Sequence, residues 1–560
     1  MLKFGTNNIG KVFAGTSTVA SVYSGSNLIY QNVAPPAVIN VSRMSSNVYV
    51  SSTSFSNCSF VMFKVWTGNK AGTVTFGSVT KNIAANTETE IAFGSYPHDG
   101  SAISDDGTPS TGDVTLIDIK GIDVVKFNSA KSTSATCVCI NSIVNWGGIE
   151  EIGTHTTAVT ATPFFGSFTS VPTSVSLGGR LKTVYNSVFY GHSTLTSLSI
   201  GSYLSSLDHG TDPTETNGLI PFASCNSITS ITVSSGNSTF TSSNNVLMSK
   251  DEKTIYYMPA NVNAESFPMT YVTTIQRNAY RPTHTLSTNT LSGIRIFFSN
   301  AVNGLSNVTS LYLDNINVIG TNAVLCPNLT TLRIGGNITF MGNSVVTSTL
   351  LTSLTINSIL TNVQRPTTVG PIFTSIGKST TNGVTITFNR FGAIPNQTFA
   401  GNTASDLSLI YRIVNANNIT AIGNNAFKHC DFSQLGYDIN FENITTLSPY
   451  AFSWSATTVS SGGTITTTIT TPTKFAPSNR NITFGSMLTN IGTAALFSLC
   501  KARVHFQSTY PPTLTGNAIF GPTDSGELDP SWSFFVPRSS LNLYQTATYW
   551  TDLASYMQGE

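Results

Sequence analysis

The residues of this chain that could do chemistry are few and poorly placed for it. Seven histidines, His98, His155, His192, His209, His284, His429 and His505, are scattered, with no partner at metal-ligand spacing. His192 and His429 fall inside repeated segments, where a structural wall position is expected, and Asp208-His209 sits in a long insertion as a candidate functional loop. Cys137-Val-Cys139 puts two thiols on one face of a strand, which alone makes no metal site. Cys225, Cys326, Cys430 and Cys500 recur at about the same place in successive segments and read as small buried apolar side chains. Seven cysteines, an odd number without framework spacing, argue against a disulfide scaffold. The loop from Pro97-His98-Asp99 to Asp105-Asp106-Gly107 carries three carboxylates and raises the question of calcium, but it lacks the ordered alternation of an EF-hand loop, so a solvated turn is expected. Glycoside hydrolysis needs two facing carboxylates, and no sequence feature singles out a pair among the 26 acidic residues. Gly-x-Ser-x-Gly, the phosphate-binding loop, His-Glu-x-x-His and Cys-x-x-Cys are all missing from the sequence. Asn-x-Thr triplets at Asn307, Asn328, Asn337, Asn418, Asn443 and Asn481 match the glycosylation sequon, as a Thr- and Asn-rich composition does by itself. The expectation is a protein with no catalytic residue, no cofactor and no metal, whose function lies in its surface.

Composition indicates what elements carry that surface. A chain of 560 residues is too long for one compact core. Only 9% of it is charged, far below the usual quarter, while 40% is hydrophobic, so low charge does not mean disorder. The polar mass is Ser, Thr and Asn, which suits exposed β-strands and turns. A net charge of +1 gives no field to attract nucleic acid or an anionic membrane. No window of about 20 apolar residues is present, and Met1-Leu-Lys-Phe-Gly is followed by no apolar run, so neither a transmembrane helix nor a secretory signal is expected.

The pattern along the chain is repetitive. Ile419-Thr-Ala-Ile422-Gly423-Asn-Asn-Ala426-Phe427-Lys-His-Cys430 returns as Ile444-Thr-Thr-Leu447-Ser-Pro-Tyr-Ala451-Phe452 and as Leu488-Thr-Asn-Ile491-Gly492-Thr-Ala-Ala495-Leu496, with Cys500 behind it. Recurrence at twenty-odd residues means a solenoid, because one such unit cannot bury its own apolar face and must stack on its neighbours. In each unit a Leu-Thr-x-Leu-x-Ile segment alternates apolar and polar residues and is predicted to be a strand of a continuous parallel sheet. The Ala-Phe pair is predicted on the opposite edge, with Phe in the core and Ala allowing close backbone approach. Leu311, Leu332 and Leu354 hold equivalent positions, and Phe189, Phe222, Cys225, Cys326, Ala426, Phe427, Cys430, Ala451, Phe452 and Cys500 are expected in the repeat core. Residues 276–306 and 364–392 lack the Ala-Phe signature. Before the solenoid, short apolar runs from Val38-Ile39 to Val114–Ile119, separated by Gly, Asn and Ser, read as a small β-sandwich. Before that, Gly5, Gly15 and Gly25 recur every ten residues, each followed by β-branched or aromatic residues (Ile9 and Phe13; Val19 and Tyr23; Tyr30). This segment is either a β-meander packing on the neighbouring domain or a docking tag, since strands so short bury little alone; docking is the expectation.

These repeats resemble the BspA-type leucine-rich repeat, Ile-x-x-Ile-Gly-x-x-Ala-Phe-x-x-Cys-x-x-Leu-x-x-Ile-x-Ile, with Ile419 to Cys430 matching almost throughout. Ile231 to Pro259 resembles the hairpin insertion of that family, and Phe535-Val536-Pro537 through Leu541, Tyr544 and Trp550 resembles its C-terminal ending, where an amphipathic helix caps the solenoid. The N-terminal decapeptide repeat is similar to segments that open bacteriophage fibre and tail proteins. Together these resemblances imply a mostly β chain with short helical turns: 1–36 a virion-docking β-repeat and linker, 37–128 an Ig-like β-sandwich spacer, 129–510 the leucine-rich-repeat solenoid and 511–560 a cap. The function they imply is a virion structural protein, a tail or head fibre or decoration, assembled in the host cytoplasm. Its N-terminus would bind other virion proteins, its solenoid a bacterial surface receptor or glycan, and it could form a homo-trimer; nucleic acid and membrane insertion are not expected. A bacterial cell-surface adhesin of the BspA type is the alternative, and a polysaccharide depolymerase a further one.

Overall fold

The computed structural model describes the backbone of residues 3–4, 7–8, 13–14, 17–18, 21–24, 27–31, 35–50, 53–95, 97–98, 101–102, 106–124, 126–129, 132–136, 138–153, 173–185, 188–189, 192–207, 221–222, 225–262, 267, 269–280, 291–302, 305–366, 370–401, 407–453, 457–459, 465–467, 476–499, 501–515 and 532–560, and the side chains of these outside 1–34, 44–60, 97–102, 124–141 and 457–467. It is mostly β, with short 3-10 turns and one α-helix among the described residues, Leu541–Thr546. The chain forms two compact units, Met1–Asp208 with Leu219–Ser242, and His209–Gly218 with Ser243–Glu560.

The first unit opens with local antiparallel hairpins: Lys3–Phe4 with Asn7–Asn8, Phe13–Ala14 with Ser17–Thr18, and Ser21–Ser24 with Asn27–Gln31. Its main sheet is organised by two long strands. The first half of Ala37–Val50 pairs with Thr111–Ile117 and with Val138–Asn145; its second half pairs with Thr53–Thr67, whose own far end pairs with Glu88–Ser95 and Ile119–Val124. Pairing in this layer therefore runs past residue 128, to Asn145. Alternation places Phe63, Val65, Val74 and Phe76 inward, all fully buried, with Phe76 edge-on to Phe93 at 5.8 Å.

Repeats begin on the edge of this layer. Ile119–Val124 pairs in parallel with Glu151–Ile152, which pairs with Thr183–Val184, which pairs with Ser206–Leu207. The turn at Trp146 is fixed by its indole N–H donating to the Ser176 carbonyl at 2.7 Å. Gly147 comes next at φ +50°, where a Cβ would lie 2.3 Å from the Pro35 carbonyl oxygen, so only glycine fits. The longer strands Ser174–Leu177, Ser197–Ile200 and Ser230–Val233 form a second parallel ladder.

In the second unit a hairpin, Val246–Ser249 with Thr254–Tyr257, starts a ladder of short strands through Thr274–Ile275, Ile296–Phe297, Val318–Ile319 and Phe340–Met341. A ladder of longer strands runs Ser310–Leu313, Thr331–Ile334, Ser353–Ile356, Val384–Phe388 and Ser408–Val414. The coils also turn through left-handed backbone just before the alanine: Asn278, Asn300 and Asn322, at φ 52°, 56° and 51°, then Asn425 at 55°. Asparagine tolerates this region better than other side-chain-bearing residues.

That column resolves the segments without an evident signature. The Phe427 amide donates to the Ala451 carbonyl of the next coil, and the Phe452 amide to Ala495. Tyr280 makes the same bond to Ala301, and Val302 to Ala323. Ala279-Tyr280 and Ala301-Val302 thus stand where Ala-Phe stands elsewhere, and in 364–392 Phe373 does so, stacked on Phe399 at 5.5 Å. The column continues as Phe399, Phe427 and Phe452, 4.9 Å apart at each step, which is the spacing of hydrogen-bonded strands. Threonines add a polar column outside: Thr330 Oγ1 donates to Thr309 O at 2.9 Å and Thr352 Oγ1 to Thr330 O at 3.1 Å, and Thr445 and Thr489 repeat the arrangement.

Candidate functional site

The residues singled out from the sequence divide sharply. Phe189, Phe222, Cys225, Cys326, Ala426, Phe427, Cys430, Ala451 and Phe452 are all buried. Cys225 Sγ donates to Phe189 O at 2.8 Å and Cys430 Sγ to Phe399 O at 3.2 Å. Burial pushes the Cys326 thiol up to about 12 and the Cys430 thiol well above its ordinary value, so neither is a ready nucleophile. Gly5, Ile9, Gly15, Val19, Gly25, Cys137, Cys500, His155, His209 and His284 lie outside the described residues, as do the side chains of Phe13, Tyr23, Tyr30, His98 and Cys139. His192 is buried, and desolvation drops its pKa to about 4. In the acidic loop, Asp106 Oδ1 accepts from the Gly94 and Thr108 amides at 2.9 and 3.1 Å, the work of a turn. Among the described residues no three His, Cys, Asp or Glu side chains could hold a metal ion.

A different place stands out. The longer-strand ladder does not run on evenly past Ser408–Val414. That strand pairs through Ser408 and Leu409 with Cys430–Asp431, while Ile439–Phe441 starts a separate sheet that continues through Asn481–Phe484, Arg503–Phe506, Ser533–Val536 and Met557–Gly559. Between them the chain makes a left-handed turn at Asn415 and a 3-10 turn over Ala416–Asn418. The interruption opens a cleft of about 610 Å³, walled by 412–417, 436–438, Asn440, Glu442 and Arg480.

Its lining is polar and aromatic. The Arg412 guanidinium lies over the Tyr437 ring, 4.1 Å from its centre, and Tyr411 meets the same ring edge-on at 5.7 Å. Gly436 makes this possible: its amide donates to Tyr411 O at 2.9 Å, and a Cβ there would strike the Tyr411 ring at 2.4 Å. Asp438 is anchored by Asn481, whose backbone N–H and Nδ2 each reach a carboxylate oxygen at 2.9 Å. Partial burial pushes the Asp438 carboxyl up, but those hydrogen bonds, with Arg480 and His505 nearby, hold it below the usual carboxylate range. Asn481 in turn meets His505 Nε2 at 3.1 Å through Oδ1, and His505 Nδ1 lies 2.9 Å from Glu560. Arg480 is fixed by Nε donating to Leu435 O at 2.9 Å. At the other wall, Asn415 donates to Asn389 at 3.2 Å and Asn389 to Asn357 at 2.8 Å, an amide chain running across three coils. No serine, threonine, cysteine or lysine is among the described residues that line it.

The site was hidden in the sequence because its walls come from three separate segments, 412–417, 436–442 and Arg480, that meet only where the ladder breaks. The local signals were there: an Arg-Ile-Val-Asn run that ends a strand, and Gly436-Tyr437-Asp438 where a Leu-x-x-Ile step is due.

Comparison with known proteins identifies the repeats. Residues 250–367 and 392–511 match the family model described as BspA type leucine rich repeat region, in six copies. No curated protein matches the sequence. Among solved structures, a leucine-rich repeat protein from Eubacterium ventriosum is similar with TM-score 0.28 and 16% identity, over 55% of this chain and 74% of that one. A leucine-rich repeat protein from Bacteroides ovatus gives 0.29 and 10%, over 78% and 98%. The pneumococcal vaccine antigen PcpA gives 0.25 and 12%, over 74% and 70%. Residues 250–367 and 392–511 are therefore a BspA-type leucine-rich repeat region, a repeat that builds a scaffold and brings no catalytic machinery of its own.

The same match corrects the virion reading. The repeats it identifies are of the BspA type and not those of a bacteriophage tail or head fibre, so the virion reading gives way to its alternative, an adhesin, proposed below. Virion proteins as partners of the N-terminus, a bacterial receptor or glycan as partner of the solenoid, and a virion location fall with it. The physical reason is the weakness of the signal: Gly followed by Thr or Ser every ten residues arises readily in a Ser- and Thr-rich β chain, where turns need glycine and strands take the rest.

Proposed function

We propose that this BspA-type repeat protein is a bacterial surface adhesin, whose repeat array presents a rigid polar face to a receptor or glycan on a host surface. The observation that carries the reading is the division of labour in each coil: inward positions are filled by stacked Phe, Leu and Ile, while outward positions at the ladder interruption gather Arg412, Tyr437, Asp438, Glu442 and Arg480 around open space. Rigid scaffolds carrying clustered aromatic and arginine side chains are how proteins concentrate binding energy. On this reading residues 1–36 and 37–128 are a lead segment and a spacer that carry the array. The test is attachment: beads coated with the full chain should adhere to epithelial cells above a carrier-protein control, and soluble full chain should compete. Attachment no better than the control would sink the adhesin assignment.

A further inference from the structure

We infer that the cleft between Ser408–Val414 and Ile439–Phe441 is a binding site for a neutral saccharide, a deepening that rests on the adhesin reading above. Four features carry it. Its volume, about 610 Å³, falls in the range of small-ligand sites. Its charges cancel: Arg412 and Arg480 face Asp438 and Glu442, so the lining selects no net ligand charge. Donors and acceptors are left over on both sides. Among the described residues Arg412 engages only the Tyr437 ring, Arg480 uses only Nε, and the Glu442 carboxylate has no hydrogen-bond partner. A sugar hydroxyl both donates and accepts, so neighbouring hydroxyls can satisfy a guanidinium and a carboxylate at once. Finally, Tyr437 is 44% exposed yet held rigidly between Arg412 and Tyr411, a fixed ring at the mouth of the site. A phosphate or sulfate ligand would need the arginines without the two carboxylates, and an apolar ligand would strand four charged groups.

The test titrates the full chain with neutral hexose and N-acetylhexosamine oligosaccharides and, as anionic counterparts, sialylated and uronate-containing ones. At least one neutral probe is expected to bind, with affinity changing less than about two-fold between 0.05 and 0.5 M NaCl, since no net charge is screened. Glu442→Gln and Tyr437→Ala should each weaken it at least about ten-fold, and Glu442→Gln, whose side chain is exposed and makes no hydrogen bond among the described residues, should do so with the melting temperature of the chain unchanged. Binding confined to anionic probes and lost in salt, no binding of any neutral probe, or equal binding by both variants overturns the inference. Cell attachment separates this site from the adhesin assignment. Cells that still hold the Glu442→Gln and Tyr437→Ala chains as tightly as the native one leave the adhesin standing and remove the cleft. Saccharide binding in the cleft without cell attachment does the reverse.

Discussion

At the scale of single residues, the chain uses reactive side chain types for structure. Buried cysteines donate weak hydrogen bonds to carbonyls of the preceding coil, and buried histidine is kept neutral. His192 has a measurable consequence. Its pKa is about 4 in the folded chain against 6.5 for the free side chain, so the unfolded state binds the extra proton between those values. Stability from this residue is present in full above pH 6.5 and is lost as pH falls towards 4. Urea unfolding of the native chain and of His192→Asn at pH 7 and pH 4.5 measures it: the difference between the two chains should shrink at the lower pH. A gap that does not change with pH would show that His192 is not held neutral by burial.

At the scale of elements, one conformational requirement recurs from coil to coil: a left-handed residue just before the alanine. Asn322 meets it at φ 51° with its side chain exposed, so a change there reports on the backbone alone. Asn322→Ala should cost about 1 kcal/mol and Asn322→Gly close to nothing, read from denaturant midpoints at constant slope. Equal losses in the two variants would locate the cost in a side-chain contact instead. This requirement also explains what could be read from sequence. Coils carrying Ala426-Phe427-x-x-Cys430 announced themselves because a large ring and a thiol are rare and conspicuous. Coils at 276–306 did not, because Tyr280 and Val302 fill the same slot with different shapes. Their true marker is backbone, an Asn-Ala pair at 278, 300 and 322 in even steps of 22 residues. The cleft was illegible for another reason: it is made by a missing strand pairing between Ser408–Val414 and Ile439–Phe441, and pairing is a long-range property that local residue types do not encode.

At the scale of the whole molecule, stabilisation in the repeats passes from each coil to the next. Threonine hydroxyls, alanine carbonyls and stacked phenylalanines all reach one coil along and no further. An array of this kind should fray from an uncovered end rather than collapse as one body. Its C-terminal cover is specific. Trp550 is 1% exposed, its indole donates to Pro512 O at 2.8 Å, and its ring stands edge-on to Phe506 at 5.3 Å and to Tyr544 at 5.1 Å. Trp550→Ala should cost about 3–5 kcal/mol, and limited proteolysis should find the new cleavage sites in the coils nearest Phe506, with those around Leu311 still protected. Simultaneous loss of protection at both places would mean that the array unfolds as a single cooperative body.

Such nearest-neighbour construction makes length a digital quantity. Because coils at 22-residue intervals present the same bonds on both sides, whole coils can be gained or lost between the hairpin at Val246–Ser249 and the cleft without remaking either. Each addition would move the binding face by one strand spacing, about 4.8 Å. The chain is in this sense a ruler graduated in coils, and the distance at which it holds its ligand can be reset in evolution by copying a segment of gene, leaving the chemistry of the site untouched.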